Sequence, residues 1–186
     1  MAKNRQFLLY GLASMLLVSC TMKDDIERDI VIETKPMDFN LPLRTNLEDT
    51  LDMAEVQGSV DLNQQIAENA NQFTIANLRS AYITKFSIQL GEADADSVIN
   101  NIAAFSHFKV ELKTPDKPLI ELGVANNIST QYARSLNFSI TAATKQLQEY
   151  LSAGTLTYVI SGVSREATTQ VIPASATATY KLTLGM

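Results

Sequence analysis

The sequence has one cysteine, one histidine, no tryptophan and only seven glycines in 186 residues. With Cys20 as the sole thiol, no disulfide can form within the chain, so an exported fold must be held by its core. Zinc takes three or four ligands from Cys, His or carboxylate, and a single histidine leaves that set short. His107 sits beside Phe108, Lys109 and Glu111 and reads as part of a solvated strand face. It would also be the sole base for a Ser-His-Asp triad, yet no G-x-S-x-G elbow presents a serine, and Gly162-Val163-Ser164 lacks the flanking pattern. The few glycines form neither a Walker loop nor a G-x-G-x-x-G turn. Lack of tryptophan removes a common sugar platform and weighs against a glycoside hydrolase, although scattered carboxylates leave that weaker reading open. Basic residues are also in the minority, 15 against 20 acidic, for a net charge of −5. Such a balance disfavours a nucleic-acid surface and electrostatic docking to anionic lipid.

The longest apolar run is Phe7 to Val18, shorter than the roughly twenty residues a membrane-spanning helix needs. Lys3 and Arg5 precede it, and small residues follow, which is the pattern of a secretory signal. Residues 1–19 are therefore expected to be a signal peptide. Leu17-Val18-Ser19-Cys20 resembles the bacterial lipobox, with Leu three residues before the Cys and a small residue just before it. The resemblance implies cleavage before Cys20 and transfer of a diacylglyceryl group to its sulfur. Each buried acyl CH₂ contributes about 0.8 kcal/mol, so several chains on one residue anchor stably where one does not. The mature chain, 20–186, would carry 13 basic and 20 acidic residues, a balance of −7. An uncleaved anchor helix is the plainer alternative.

After Cys20 come Thr21-Met22-Lys23-Asp24-Asp25. As charges they make a solvated tether, expected over residues 20–28, that holds the domain off the membrane. Lys23-Asp24-Asp25 also resembles the surface-export signal of Bacteroidota lipoproteins, which implies the outer face of the outer membrane; a periplasm-facing location is the alternative. Asp49-Thr50-Leu51 and Asp96-Ser97-Val98 resemble the O-glycosylation acceptors of the same group, at Thr50 and Ser97, where an Asp cap or turn is the plain reading. Glu92, Asp94 and Asp96 in one turn make a weak calcium candidate, without the ligand order or the glycine of an EF-hand.

Periodicity carries the fold expectation. Ile30 and Ile32 suit a first strand, and Phe39, Leu41 and Leu43 a second that ends near Arg44 with Pro42 at an edge. Glu48 to Gln57 is ambiguous. Asp61 to Phe73 has helical spacing at Leu62, Ile66 and Phe73. Tyr82, Thr84, Phe86, Ile88 and Leu90 alternate with Ile83, Lys85, Ser87 and Gln89, one face buried. Asp96 or Ser97 suits the cap of a short helix carrying Val98, Ile99 and Ile102. Phe108, Val110 and Leu112, the turn Thr114-Pro115-Asp116-Lys117-Pro118, and Ile120, Leu122 and Val124 form a hairpin that Asn126-Asn127 ends. Leu136, Phe138 and Ile140 read as one strand, and Thr144 to Ser152 as a short helix before Gly154. Leu156, Tyr158 and Ile160 form the next strand, and Ala176 to Leu184 the last.

Six or more half-buried strands with short connections predict antiparallel packing into a mostly β sandwich, immunoglobulin-like or jelly-roll-like, with one to three short helices. Residues 29–186 are expected to form a single domain. The chain as a whole resembles the small β-sandwich lipoproteins of Bacteroidota, on the lipobox, Lys23-Asp24-Asp25 and the strand–hairpin–short helix–strand order from Tyr82 to Leu184. That resemblance implies export and a sandwich, and no activity. The expected role is a non-catalytic, lipid-anchored envelope protein with no cofactor, held to the membrane at Cys20 and meeting a protein or glycan partner. A small ligand- or glycan-binding accessory lipoprotein of an outer-membrane uptake system is the alternative.

Overall fold

The computed structural model describes residues 26–45, 47, 49–91, 100–141 and 147–186. Its elements run β1 (Glu27–Glu33), β2 (Met37–Leu41), β3 (Leu51–Ser59), α1 (Leu62–Asn69), β4 (Leu78–Leu90), β5 (Phe105–Thr114) and β6 (Lys117–Asn126). β7 (Ser135–Asn137), β8 (Ser139–Ile140), α2 (Leu147–Leu151), β9 (Thr155–Ser164) and β10 (Ile172–Gly185) follow. Short 3-10 turns at Ile75–Asn77 and Ile102–Ala104 lead into β4 and β5.

The strictest alternation in the sequence makes the longest strand. In β10, Ala174, Ala176, Ala178, Tyr180, Leu182 and Leu184 are buried, and the intervening residues are partly exposed. β1 and β2 lie end to end along one side of β10: Glu27 pairs with Gly185 and Glu33 with Thr179, then Met37 with Ala176 and Leu41 with Ile172. Between them, at the break before Pro36, Thr34 keeps the ladder: its N–H donates to the Ala178 carbonyl at 2.9 Å, and its hydroxyl accepts from the Ala178 N–H at 3.0 Å. The other side of β10 pairs with β4, and β4 with β7. The second sheet is ordered β3-β9-β5-β6-β8, and every pairing in both sheets is antiparallel.

One apolar cluster fills the space between the sheets, which makes the molecule a β-sandwich. Phe86 of the first sheet meets Tyr158 of the second at a ring separation of 5.4 Å, and the Tyr158 and Tyr180 hydroxyls bond across the gap at 2.5 Å. Phe138 sits between Phe86 at 5.2 Å and Phe108 at 6.5 Å. Helix α1 starts where Asp61 accepts from the Gln64 N–H and buries Leu62 and Ile66. Gly154 follows α2 with φ +78°, the left-handed geometry that ends a helix.

Several expectations shift. The second strand ends at Leu41, so Pro42 lies outside the ladder, Leu43 is exposed and Arg44 is buried. Thr84 is an extra residue in β4: Lys85 pairs with Thr179 and Ile83 with Tyr180, so Ile83 turns into the core while Thr84 is exposed and donates to the Thr179 carbonyl. A similar bulge skips Leu122 between the Val110–Gly123 and Glu111–Glu121 pairs. Gly123 and Ala125 then face the core, and Val124 turns outward beside Lys109. The single strand expected over Leu136 to Ile140 is two, β7 in the first sheet and β8 in the second, with buried Phe138 at the crossing. Glu48 to Gln57, ambiguous in sequence, supplies β3. Glu27 and Arg28, read as the end of the tether, are the first rungs of β1.

Candidate functional site

The two ends of the sandwich differ. At one end β1 and β4 begin, β10 finishes, and α1 and α2 pack. At the other end four connections gather: 42–50 before β3, 100–104 before β5, 127–134 after β6 and 165–171 before β10. Along β10 the ends are about 43 Å apart at 3.3 Å per residue.

Three arginines brace this loop end. Arg44, 2% exposed, donates from its backbone N–H to the Thr168 hydroxyl at 2.8 Å and accepts from the Thr168 N–H at 3.0 Å. Its guanidinium donates to the Ser164 hydroxyl at 3.1 Å and the Asp49 carbonyl at 3.0 Å, which straps segment 42–50 to the end of β9. Arg165 donates to the carbonyls of Ala103 at 3.2 Å and Ile128 at 2.9 Å, joining two more loops. Arg134 donates to the Gly91 carbonyl at 2.8 Å. Asn100 and Thr169 bond twice at 2.9 Å, amide to hydroxyl and backbone N–H to amide oxygen. Guanidinium donors suit this work because their fixed fork satisfies several loop carbonyls at once. Loops held this way form a preorganised platform. Leu43, Leu47, Leu51, Tyr132 and Val171 stand exposed on it. Nearby, a shallow depression of about 390 Å³ lies over Phe39, Leu90 and Pro173.

Electrostatics elsewhere are those of surface pairs. Asp29 bonds Lys181 and Thr183, and the Lys181 bond foremost holds its carboxyl below the usual range. Glu149 is lowered, and Lys117 raised, by their 2.5 Å contact, which docks α2 against β6. Burial pushes the Tyr158 and Tyr180 phenols well above their ordinary value. None of these is a carboxylic acid raised toward neutrality, the usual mark of a general acid.

Of the residues singled out in sequence, Thr50 is exposed on the loop end and continues into β3. Leu17, Val18, Ser19, Cys20, Lys23, Asp24 and Asp25 lie outside the described residues, as do Glu92, Asp94, Asp96 and Ser97. His107 is half-buried and hydrogen-bonded to Asn126 on the outer face of the second sheet. Among the described residues, no three His, Cys, Asp or Glu side chains are grouped to hold a metal ion, and no helix is long and apolar enough to cross a membrane. Arg44, Arg134 and Arg165 gave no signal in sequence, because an arginine in a loop reads as a solvated charge. No protein-family model matches the chain, and no curated protein matches it.

Proposed function

We propose that this protein is a lipid-anchored, non-catalytic module of the bacterial cell envelope that presents its loop end to an external protein or glycan partner. The observation that carries the reading is polarity. Chain segment 20–25 joins the domain at Ile26, on the end opposite the arginine-braced loops. An anchor at Cys20 would therefore turn the platform, with its exposed Leu43, Tyr132 and Val171, away from the lipid. The core between the sheets is filled by side chains, which leaves the surface as the place for recognition. Lys23-Asp24-Asp25 supports a cell-surface location at the outer membrane, and Thr50, as a glycan acceptor, would sit on the outward end.

Two measurements test this. Labelled palmitate should appear in the purified protein, and mass spectrometry should find residues 1–19 gone; an intact leader or absent label refutes the anchor. Protease added to intact cells should release peptides from beyond Asp25. Protection until the cells are lysed would assign the domain to the periplasm.

A further inference from the structure

The end of the sandwich opposite the platform has its own chemistry. Ile26 is 48% exposed just before β1, and Ile75 is 37% exposed at the start of the 3-10 turn that precedes β4. The two are held on one end by a short network. The Ile26 carbonyl accepts from the Met186 N–H at 3.2 Å, Asn77 donates to the Gly185 carbonyl at 3.3 Å, and Arg79 bonds both the Met186 carbonyl and Glu27. Met186 is also exposed there. Beside them Arg28, the Glu68 carboxylate and the amides of Asn69, Asn71 and Gln72 line a depression of about 320 Å³. Apolar side chains bordered by guanidinium, carboxylate and amide groups match a zwitterionic lipid interface, where acyl boundary, phosphate and quaternary ammonium lie close together.

The tether decides what this end can meet. Six Cα–Cα steps, through five intervening residues, separate Cys20 from Ile26, and fully extended they reach at most about 21 Å. That is less than half the length of β10, so an acylated Cys20 keeps this end next to the bilayer. We infer that the β1 end rests on the phospholipid surface, with Ile26 and Ile75 inserted at the headgroup–acyl boundary and Arg28 facing the phosphates. The contact rests on the lipid-anchor reading above. Two isoleucines are too few to hold a domain with a net charge of −5 unaided, so they act only once the anchor supplies the proximity.

The absence of tryptophan makes the test clean. Ile75→Trp introduces a single indole at the contact, Ile26→Trp a second reporter, and Tyr132→Trp a control on the far end. Each full-length chain is produced in a lipoprotein-processing bacterium, purified from its membranes, checked by mass for acylation and reconstituted into phosphatidylcholine vesicles with brominated acyl chains. Seating at a depth of about 5–10 Å should cost the Ile75→Trp and Ile26→Trp proteins roughly half their emission and shift it to the blue, leaving Tyr132→Trp unchanged. Acylated protein with equal, unquenched emission from all three overturns the seat while the anchor stands. Protein that lacks the acyl mass overturns the anchor, and the seat with it.

Discussion

At the residue scale, the Tyr158–Tyr180 pair is the most exacting feature of the core. Two phenol oxygens 2.5 Å apart satisfy each other inside the core, and they fix how the sheets face each other. Tyr158→Phe leaves the Tyr180 hydroxyl buried and unpaired, and should cost about 1–3 kcal/mol in urea unfolding. The double replacement by Phe should recover most of that loss, and the cycle measures the coupling. The same pair sets an alkaline limit. Both phenols titrate above their ordinary value of 10.0 because burial disfavours the phenolate. The unfolded chain loses those protons near pH 10 while the folded chain keeps them, so this stabilisation is complete below pH 10 and is lost as pH climbs beyond it. Melting temperature followed from pH 8 to 12 should fall above pH 10, less steeply in the double Phe variant. Glycines give a second contrast. A Cβ at Gly123 would stand 2.6 Å from the Ser139 carbonyl oxygen, which is backbone, whereas one at Gly58 would meet the Met37 sulfur, the movable part of a flexible side chain. Gly123→Ala should therefore cost about 1–3 kcal/mol and loosen β8, with Gly58→Ala showing the smaller loss by the same denaturation assay.

Among the elements, segment 42–50 is tied down at Arg44, by its guanidinium and by its backbone bonds to Thr168. Arg44→Met keeps the apolar stem but removes the bonds to Ser164 and Asp49. It should lower stability by about 1–3 kcal/mol, and limited proteolysis should find new cleavage in 42–50 before any in the strands. How well each element could be read from sequence follows its regularity. β5 from Phe108 onward and β10 keep period two and were legible by residue. β4 and β6 were legible as strands but not by face beyond the bulges at Thr84 and Leu122, because one inserted residue inverts which side chains point inward. β3 was hidden for the same reason: Met53 is the extra residue, so the buried positions fall at 53, 56 and 58, a spacing with no single period. Phe138 looked like the middle of a strand because a chain that changes sheets keeps its alternation. The platform was illegible, since its braces join Arg44 to Ser164 and Arg165 to Ile128, partners far apart in sequence.

At the scale of the whole molecule, a single core cluster drawing on both sheets predicts that they unfold together. Far-ultraviolet circular dichroism and tyrosine fluorescence should give superimposable urea transitions; separate midpoints would mean that the sheets are independent. Two of the edges are guarded against pairing with other chains. Pro118 and the α2 contacts through Tyr150 and Lys117 cover the start of β6, and β1 meeting a second β1 in antiparallel register about Ile30 would oppose Glu27 to Glu33. The collinear path of β1 and β2 along β10 has a mechanical meaning. A pull applied between Ile26 and the far loops runs lengthwise down that path and loads its rungs in shear, all at once. A pull between Ile26 and Met186, neighbouring ends of the β1–β10 pair, would peel them one at a time. Force spectroscopy with attachment points at residues 26 and 171 should accordingly record a higher rupture peak than attachment at 26 and 186.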